Sequence, residues 1–134
     1  MISKVIFVSG WFDQRGGRIG LNPDETEPAL YDGEHHTLFT GYFGFLPTVS
    51  LEEVPTEVFT GKISDVCGIA EVKGALTKQS LTFNKRYAHR PDAIAYTFVP
   101  HQSGTFWVGE YSGELVGKKN ARLVLSEPPP GFFA

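Results

Sequence analysis

The residue whose type and setting say most about chemistry is Lys85, in the run Leu81-x-Phe83-x-Lys85-x-Tyr87. Alternate side chains of a β-strand share a face, so an apolar and aromatic face carries an ammonium with it. A buried ammonium is costly unless something neutralises it. Lys85 therefore needs a carboxylate, an anionic ligand, or a place near the strand end from which its stem takes the charge to water. As a functional group it would anchor a ligand carboxylate or phosphate. A nucleophilic amine of lowered pKa is the other chemistry open to it, although nothing nearby in the sequence supports that role.

Other reactive types are present with weaker patterns. His35-His36 and His89 offer imidazoles, the commonest transition-metal ligands. Adjacent residues of an extended chain point to opposite sides, however, and no further ligand stands at metal-like spacing, so neither metal nor cofactor is expected. Cys67 falls in a tight turn with no histidine near it in sequence, which suits a small buried apolar side chain better than a nucleophile. Arg15-Gly16-Gly17-Arg18-Ile19-Gly20 lacks the Gly-Lys-Ser/Thr of a phosphate loop. Among acidic groups, Glu52-Glu53, Asp24-Glu25 and Glu127 lie off the apolar faces, whereas acid–base catalysis in an interior would require a carboxylate or tyrosine there.

The elements that position these groups are strands. Apolar residues recur with a period near two and almost nowhere at helical spacing. The pattern predicts eight strands, at about Ile2–Phe12, Thr37–Phe45, Glu57–Ser64, Gly68–Ala75, Gln79–Tyr87, Ala93–Val99, Thr105–Ser112 and Gly117–Glu127. Most gaps are short and rich in turn residues, which favours successive antiparallel neighbours. Two are longer. Residues 13–36 exceed an ordinary connection, and 46–56 hold the capping box Ser50-Leu51-Glu52-Glu53, which Pro55 limits to one helical turn. The expected domain is residues 1–127, followed by an extended proline-rich tail at 128–134 that ends in two phenylalanines. Glycines recur within strands beside aromatic residues, in Phe39-Thr40-Gly41, Phe59-Thr60-Gly61 and Phe106-Trp107-Val108-Gly109, and permit the bends of a small closed barrel. The expected fold is all-β: a single antiparallel up-and-down β-barrel of about eight strands with little or no helix, and an immunoglobulin-like sandwich is the alternative.

Period two also sorts the faces. It puts Leu81, Phe83, Lys85 and Tyr87 inside, with Ile94, Tyr96, Phe98, Phe39, Phe43, Phe45, Phe59, Ile63, Ala121, Leu123 and Leu125. The seventh strand is ambiguous, and Trp107 with Tyr111 is the preferred inward set. So many aromatics either fill the barrel or line a cavity for a flat ligand. Strict up-and-down order gathers Arg15, Arg18, His35, His36, His89 and Arg90 at one mouth, with Lys85 just inside it and His101 at the far end. Asp24, Glu25, Glu27, Asp32 and Glu34 share that rim, so its net sign stays open.

The segments Leu81-x-Phe83-x-Lys85-x-Tyr87, Ile94-x-Tyr96-x-Phe98 and Gly104-Thr105-Phe106-Trp107-x-Gly109-x-Tyr111 resemble the second half of a calycin-type barrel, the lipocalin, fatty-acid-binding and avidin group. The likeness covers about residues 59–125. The lipocalin group carries its G-x-W on the first strand, where this chain has only Gly10-Trp11, and the better match lies on the seventh. The resemblance implies a barrel that takes a small, mostly apolar ligand in its interior or mouth.

Composition narrows the partners. Twelve Lys and Arg against 15 Asp and Glu give a formal charge of −3 without a basic cluster, which argues against nucleic acid. The longest apolar runs fall far short of the roughly 20 residues that span a bilayer as a helix, and Met1–Val8 lacks the form of a signal peptide, so a cytoplasmic protein without membrane insertion is expected. One free cysteine cannot make an internal disulfide, and 134 residues suffice for a core without one. The expected function is non-catalytic binding of a small apolar or amphipathic, even anionic, ligand. Lys85, Tyr87, Tyr96, Trp107 and Tyr111 would line the pocket, and Arg18, His36, His89 and Arg90 would meet the head group. A small barrel enzyme using the same cavity, or a packed interaction module, is the alternative, and homodimerisation is open.

Overall fold

A computed structural model of the chain describes residues 2–16, 33–47, 56–113, 117–129 and 131. Eight strands follow one another: β1 (Lys4–Gly16), β2 (His36–Phe45), β3 (Glu57–Asp65), β4 (Gly68–Leu76), β5 (Leu81–Tyr87), β6 (Ile94–Pro100), β7 (Trp107–Gly113) and β8 (Gly117–Ser126). Each pairs antiparallel with the next, and β1 pairs with β8 to close the barrel. Among the described residues there is no helix. The capping box at Ser50–Glu53, Arg18 and the terminal phenylalanines lie outside them.

Closure follows from the pattern of the sequence. Short connections leave each strand beside its predecessor, and right-handed twist brings the last strand back to the first. The seam is the longest strand, β1, whose pairing with β8 shifts register between Phe12 and Gly16. Such an irregularity bends a strand, here at the barrel mouth, where the β3–β4 and β5–β6 connections lie.

The interior is made by alternation. Phe43, Phe45, Phe59, Ile63, Leu81, Phe98 and Leu123 are each at most 1% exposed. Phe43 stacks on Phe59 at 4.1 Å between ring centroids, and Phe83 lies 5.8 Å from Phe98. Phenylalanine thus fills the middle of the barrel and its far end. Towards the mouth the aromatics become tyrosines: Phe83 stacks on Tyr96 at 4.8 Å, Tyr96 on Tyr111 at 5.1 Å, and Phe12 meets Tyr111 edge-on at 5.5 Å.

One glycine is required by this filling. Gly109 on β7 faces Phe98 on β6, and a Cβ there would stand 2.2 Å from Phe98 Cδ2 and 2.5 Å from the Thr97 carbonyl oxygen. The Phe98 ring occupies the space a side chain would take. Gly109→Val should therefore lower stability by about 1–3 kcal/mol through overpacking, read as a shift in the urea midpoint without a change in its slope.

Candidate functional site

The mouth of the barrel holds a pocket of about 400 Å³. Its walls include Phe12 from β1, Ile94 and Tyr96 from β6, and Tyr111 from β7. Its polar lining includes Lys85, Tyr87, Arg90, Lys119 and Thr37, and the β3–β4 turn contributes Val66 and Cys67 to the rim. The barrel is filled beneath this pocket, and Lys85, Tyr87, Ile94, Tyr96 and Tyr111 in its lining are each at most 4% exposed.

Lys85 does not reach water. Its side chain is 2% exposed, and Nζ donates to Asp65 Oδ2 at 3.0 Å and to Tyr96 Oη at 3.2 Å. Nζ also lies 4.8 Å from the ring centres of both Phe12 and Tyr87, within cation–π range. Asp65 is the neutralising partner. Tyr87 Oη donates to the same Oδ2 at 2.5 Å, while the Cys67 amide donates to Oδ1 at 2.8 Å. Both carboxylate oxygens are thus engaged, and the side chain is 0% exposed.

The local sequence explains how Asp65 arrives there. Strand β3 runs one residue past its expected end at Ser64, and Asp65 continues the inward row of Phe59 and Ile63. The Asp65 carboxylate then closes the turn onto Cys67, which is followed by Gly68 at φ +120°, a region that suits glycine. Between Ile63 on β3 and Tyr87 on β5 the intervening residue of β4 is Ala70. A small residue there leaves room for side chains to meet across it.

Burial sets the ionisation of the network. It pushes the Lys85 ammonium below the ordinary lysine range, and the Asp65 charge opposes that shift. It also holds the phenols of Tyr87, Tyr96 and Tyr111 well above the ordinary tyrosine range, with Asp65 adding to the effect at Tyr87. All three therefore act as neutral hydroxyls. Tyr111 spends its proton on the Asp13 carbonyl oxygen at 2.6 Å. Tyr96 accepts from Lys85, so its own proton is available to an acceptor in the pocket.

The expected site residues divide accordingly. Lys85, Tyr87, Tyr96, Tyr111 and Arg90 come together at the pocket. Trp107 does not: it pairs with Pro100 at the other end of the sheet, four residues and roughly 13 Å along the strand from Tyr111, where it packs against the core. His36 is absent from the pocket lining because Phe39 and Phe43 point inward, which puts Thr37 inside and His36 outside. There its ring stacks on Trp11 at 3.7 Å, with Asp13 Oδ2 3.5 Å away. His89 is exposed and lies 5.6 Å from the Tyr87 ring rather than in the pocket lining, and Arg18 lies outside the described residues. Cys67 is exposed on the rim, not buried, because the Asp65 side chain holds its amide at the tip of the turn. Asp65 falls in the expected gap after Ser64, although the alternation Phe59, Ile63, Asp65 marks it as inward; Lys119 likewise extends the inward row of Ala121, Leu123 and Leu125, whereas Phe12 carries no comparable signal. Among the described residues no three His, Cys, Asp or Glu side chains converge as metal ligands would.

Comparison of the chain with protein-family models, curated proteins and solved structures finds no match.

Two outcomes follow from this network. Lys85→Met strands a buried carboxylate and should cost about 3–5 kcal/mol, whereas Lys85→Met combined with Asp65→Asn should recover most of that loss in urea unfolding. Above about pH 10 the unfolded chain releases tyrosine protons that the folded chain keeps, so stability should fall steeply. Lys85 acts in the opposite sense, since deprotonation relieves its burial as pH rises towards the ordinary lysine value, but one amine is outweighed by three phenols. In an alkaline titration, the tyrosinate absorbance of these residues should rise together with the loss of near-UV circular dichroism, not before it.

Proposed function

We propose that the barrel binds a small, flat, amphipathic molecule without catalysis, its apolar body against Phe12, Tyr96 and Tyr111 and an acidic group at Arg90 and Lys119. The observation that carries this reading is the charge arrangement around the pocket. Lys85 is neutralised by Asp65 from within the barrel wall, which leaves Arg90 and Lys119 as the cationic lining among the described residues. An aromatic interior under a cationic lip suits an amphipathic anion. The head group is thus assigned to the lip, and Lys85 to the wall beneath it.

A catalytic reading would draw on the contact between Asp65 and Tyr87, a carboxylate beside a phenol. Against it stands the engagement of that carboxylate: Lys85, Tyr87 and the Cys67 amide occupy it, and its side chain is 0% exposed. A general base has to touch the proton it removes. Kinship with the calycin group is part of the same proposal and rests on shared architecture, eight strands in consecutive antiparallel order around a closed barrel.

Native mass spectrometry with 2-naphthoate tests the reading. The folded protein should retain one ligand, which leaves on denaturation, and the double variant Arg90→Ala, Lys119→Ala should bind at least about tenfold more weakly, the equivalent of one good charged contact. Retention unaffected by the double variant would remove the assigned head-group site.

A further inference from the structure

Lys85 is a primary amine within a pocket lining, held between a carboxylate and a phenol. We infer that this site captures an aldehyde, forming a reversible imine between Lys85 Nζ and the carbonyl carbon of a flat, apolar aldehyde that carries an acidic group at its other end. The inference rests on the binding reading above and names the inward-facing group of the ligand.

Three features of the geometry converge on this chemistry. The first is charge. An aldehyde and an ammonium give a protonated imine and one water, so a single positive charge stands opposite Asp65 before and after. The 3.0 Å ion pair that burial demands is therefore restored once the imine has formed, with the remaining N–H of the iminium directed at Oδ2 as the ammonium N–H was. The second is proton supply. Nζ passes one proton to Asp65 Oδ2 and its lone pair attacks the carbonyl carbon, while the Tyr96 hydroxyl, 3.2 Å from Nζ, protonates the carbonyl oxygen as the C=O π bond opens. The nitrogen, now bonded to carbon and positively charged, gives a proton to the Tyr96 oxygen, which leaves the neutral carbinolamine; the protonated Asp65 then protonates its hydroxyl, the C–O bond breaks with departure of water, and the nitrogen lone pair forms C=N. Tyr96 has regained its proton and Asp65 has given up the one it took from Nζ, so the net change is the joining of amine and carbonyl with the loss of one water.

The third feature is selectivity. Burial lowers the proton affinity of Lys85, so its free amine lies closer to reach at neutral pH than that of a solvated lysine. Lys62, Lys73 and Lys78 are exposed to water, and Lys4 pairs with Glu57 at 2.7 Å. The ring edges of Phe12, Tyr96 and Tyr111 give a conjugated aldehyde an apolar wall beside Nζ, and Arg90 and Lys119 take its acidic end.

The probe is 6-formyl-2-naphthoate, with 6-hydroxymethyl-2-naphthoate as a ligand of the same shape that cannot form an imine. The full-length protein is incubated with each at neutral pH in the presence of cyanoborohydride, which reduces an imine to a stable secondary amine, and is then weighed and mapped by peptide mass spectrometry. The expected result is one adduct from the aldehyde, on Lys85, formed at least about tenfold faster than at any other lysine. Lys85→Arg should abolish it, as should the pairing of Lys85→Met with Asp65→Asn if the larger guanidinium disturbs folding. Retention of the hydroxymethyl compound in native mass spectra without an adduct on Lys85, or with labelling spread over exposed lysines, overturns the imine and leaves the binding reading standing. Retention of neither compound overturns both.

Discussion

The structure turns on one buried charge. An ammonium enclosed by Phe12, Tyr87 and Tyr96 is tolerable only with a counter-charge and with its hydrogen bonds made, because transfer of either ion alone from water costs several kcal/mol. Asp65 meets the first need and the Tyr96 hydroxyl shares the second. Each of these requirements propagates. Asp65 must lie inward, so β3 has to reach one residue into what would otherwise be turn. Its second oxygen then serves the Cys67 amide, and the pair becomes continuous with the rim of the pocket. The same neutralisation leaves Arg90 and Lys119 as the other cations of the pocket lining among the described residues.

The barrel treats its two ends differently because its aromatics differ in one atom. Phenylalanine has no polar group to satisfy and can be packed on all sides, as Phe43, Phe59 and Phe98 are. Tyrosine brings a hydroxyl that needs a partner when buried, and partners are available where strands end: the Asp13 carbonyl for Tyr111, the Asp65 carboxylate for Tyr87 and the Lys85 ammonium for Tyr96. The polar ends of these rings gather beside the pocket, while phenylalanine closes the rest of the interior. Apolar core and polar mouth are two parts of one gradient.

Much of this was legible in the residues. Strand number, strand order and the inward rows on β2, β3, β5, β6 and β8 all follow from period two and short connections, and Lys85 stood out because it breaks an apolar row. The misplacements have separate physical causes. Trp107 shares a face with Tyr111, but parity says nothing about depth, and four residues along a strand carry a side chain from one end of a small barrel towards the other. His36 was grouped by loop rather than by face, although Phe39 and Phe43 already implied that Thr37, not His36, points inward. Cys67 is exposed because a side chain two residues earlier holds its amide at a turn.

By itself, then, the sequence determined the strands, their antiparallel succession and the inward rows of β2, β3, β5, β6 and β8, since these depend on spacing along the chain and on the short reach of turns. The partner of Lys85 was decided only by the tertiary structure. Asp65 and Lys85 are 20 residues apart on strands that do not pair with each other, and they meet because β4 between them carries Ala70 where a larger side chain would intervene. The depth of the pocket, the place of Trp107 and the entry of Phe12 into the lining were decided likewise. Each depends on how closure through β1 and β8 turns faces into an interior, a distance in space that no one-dimensional period encodes.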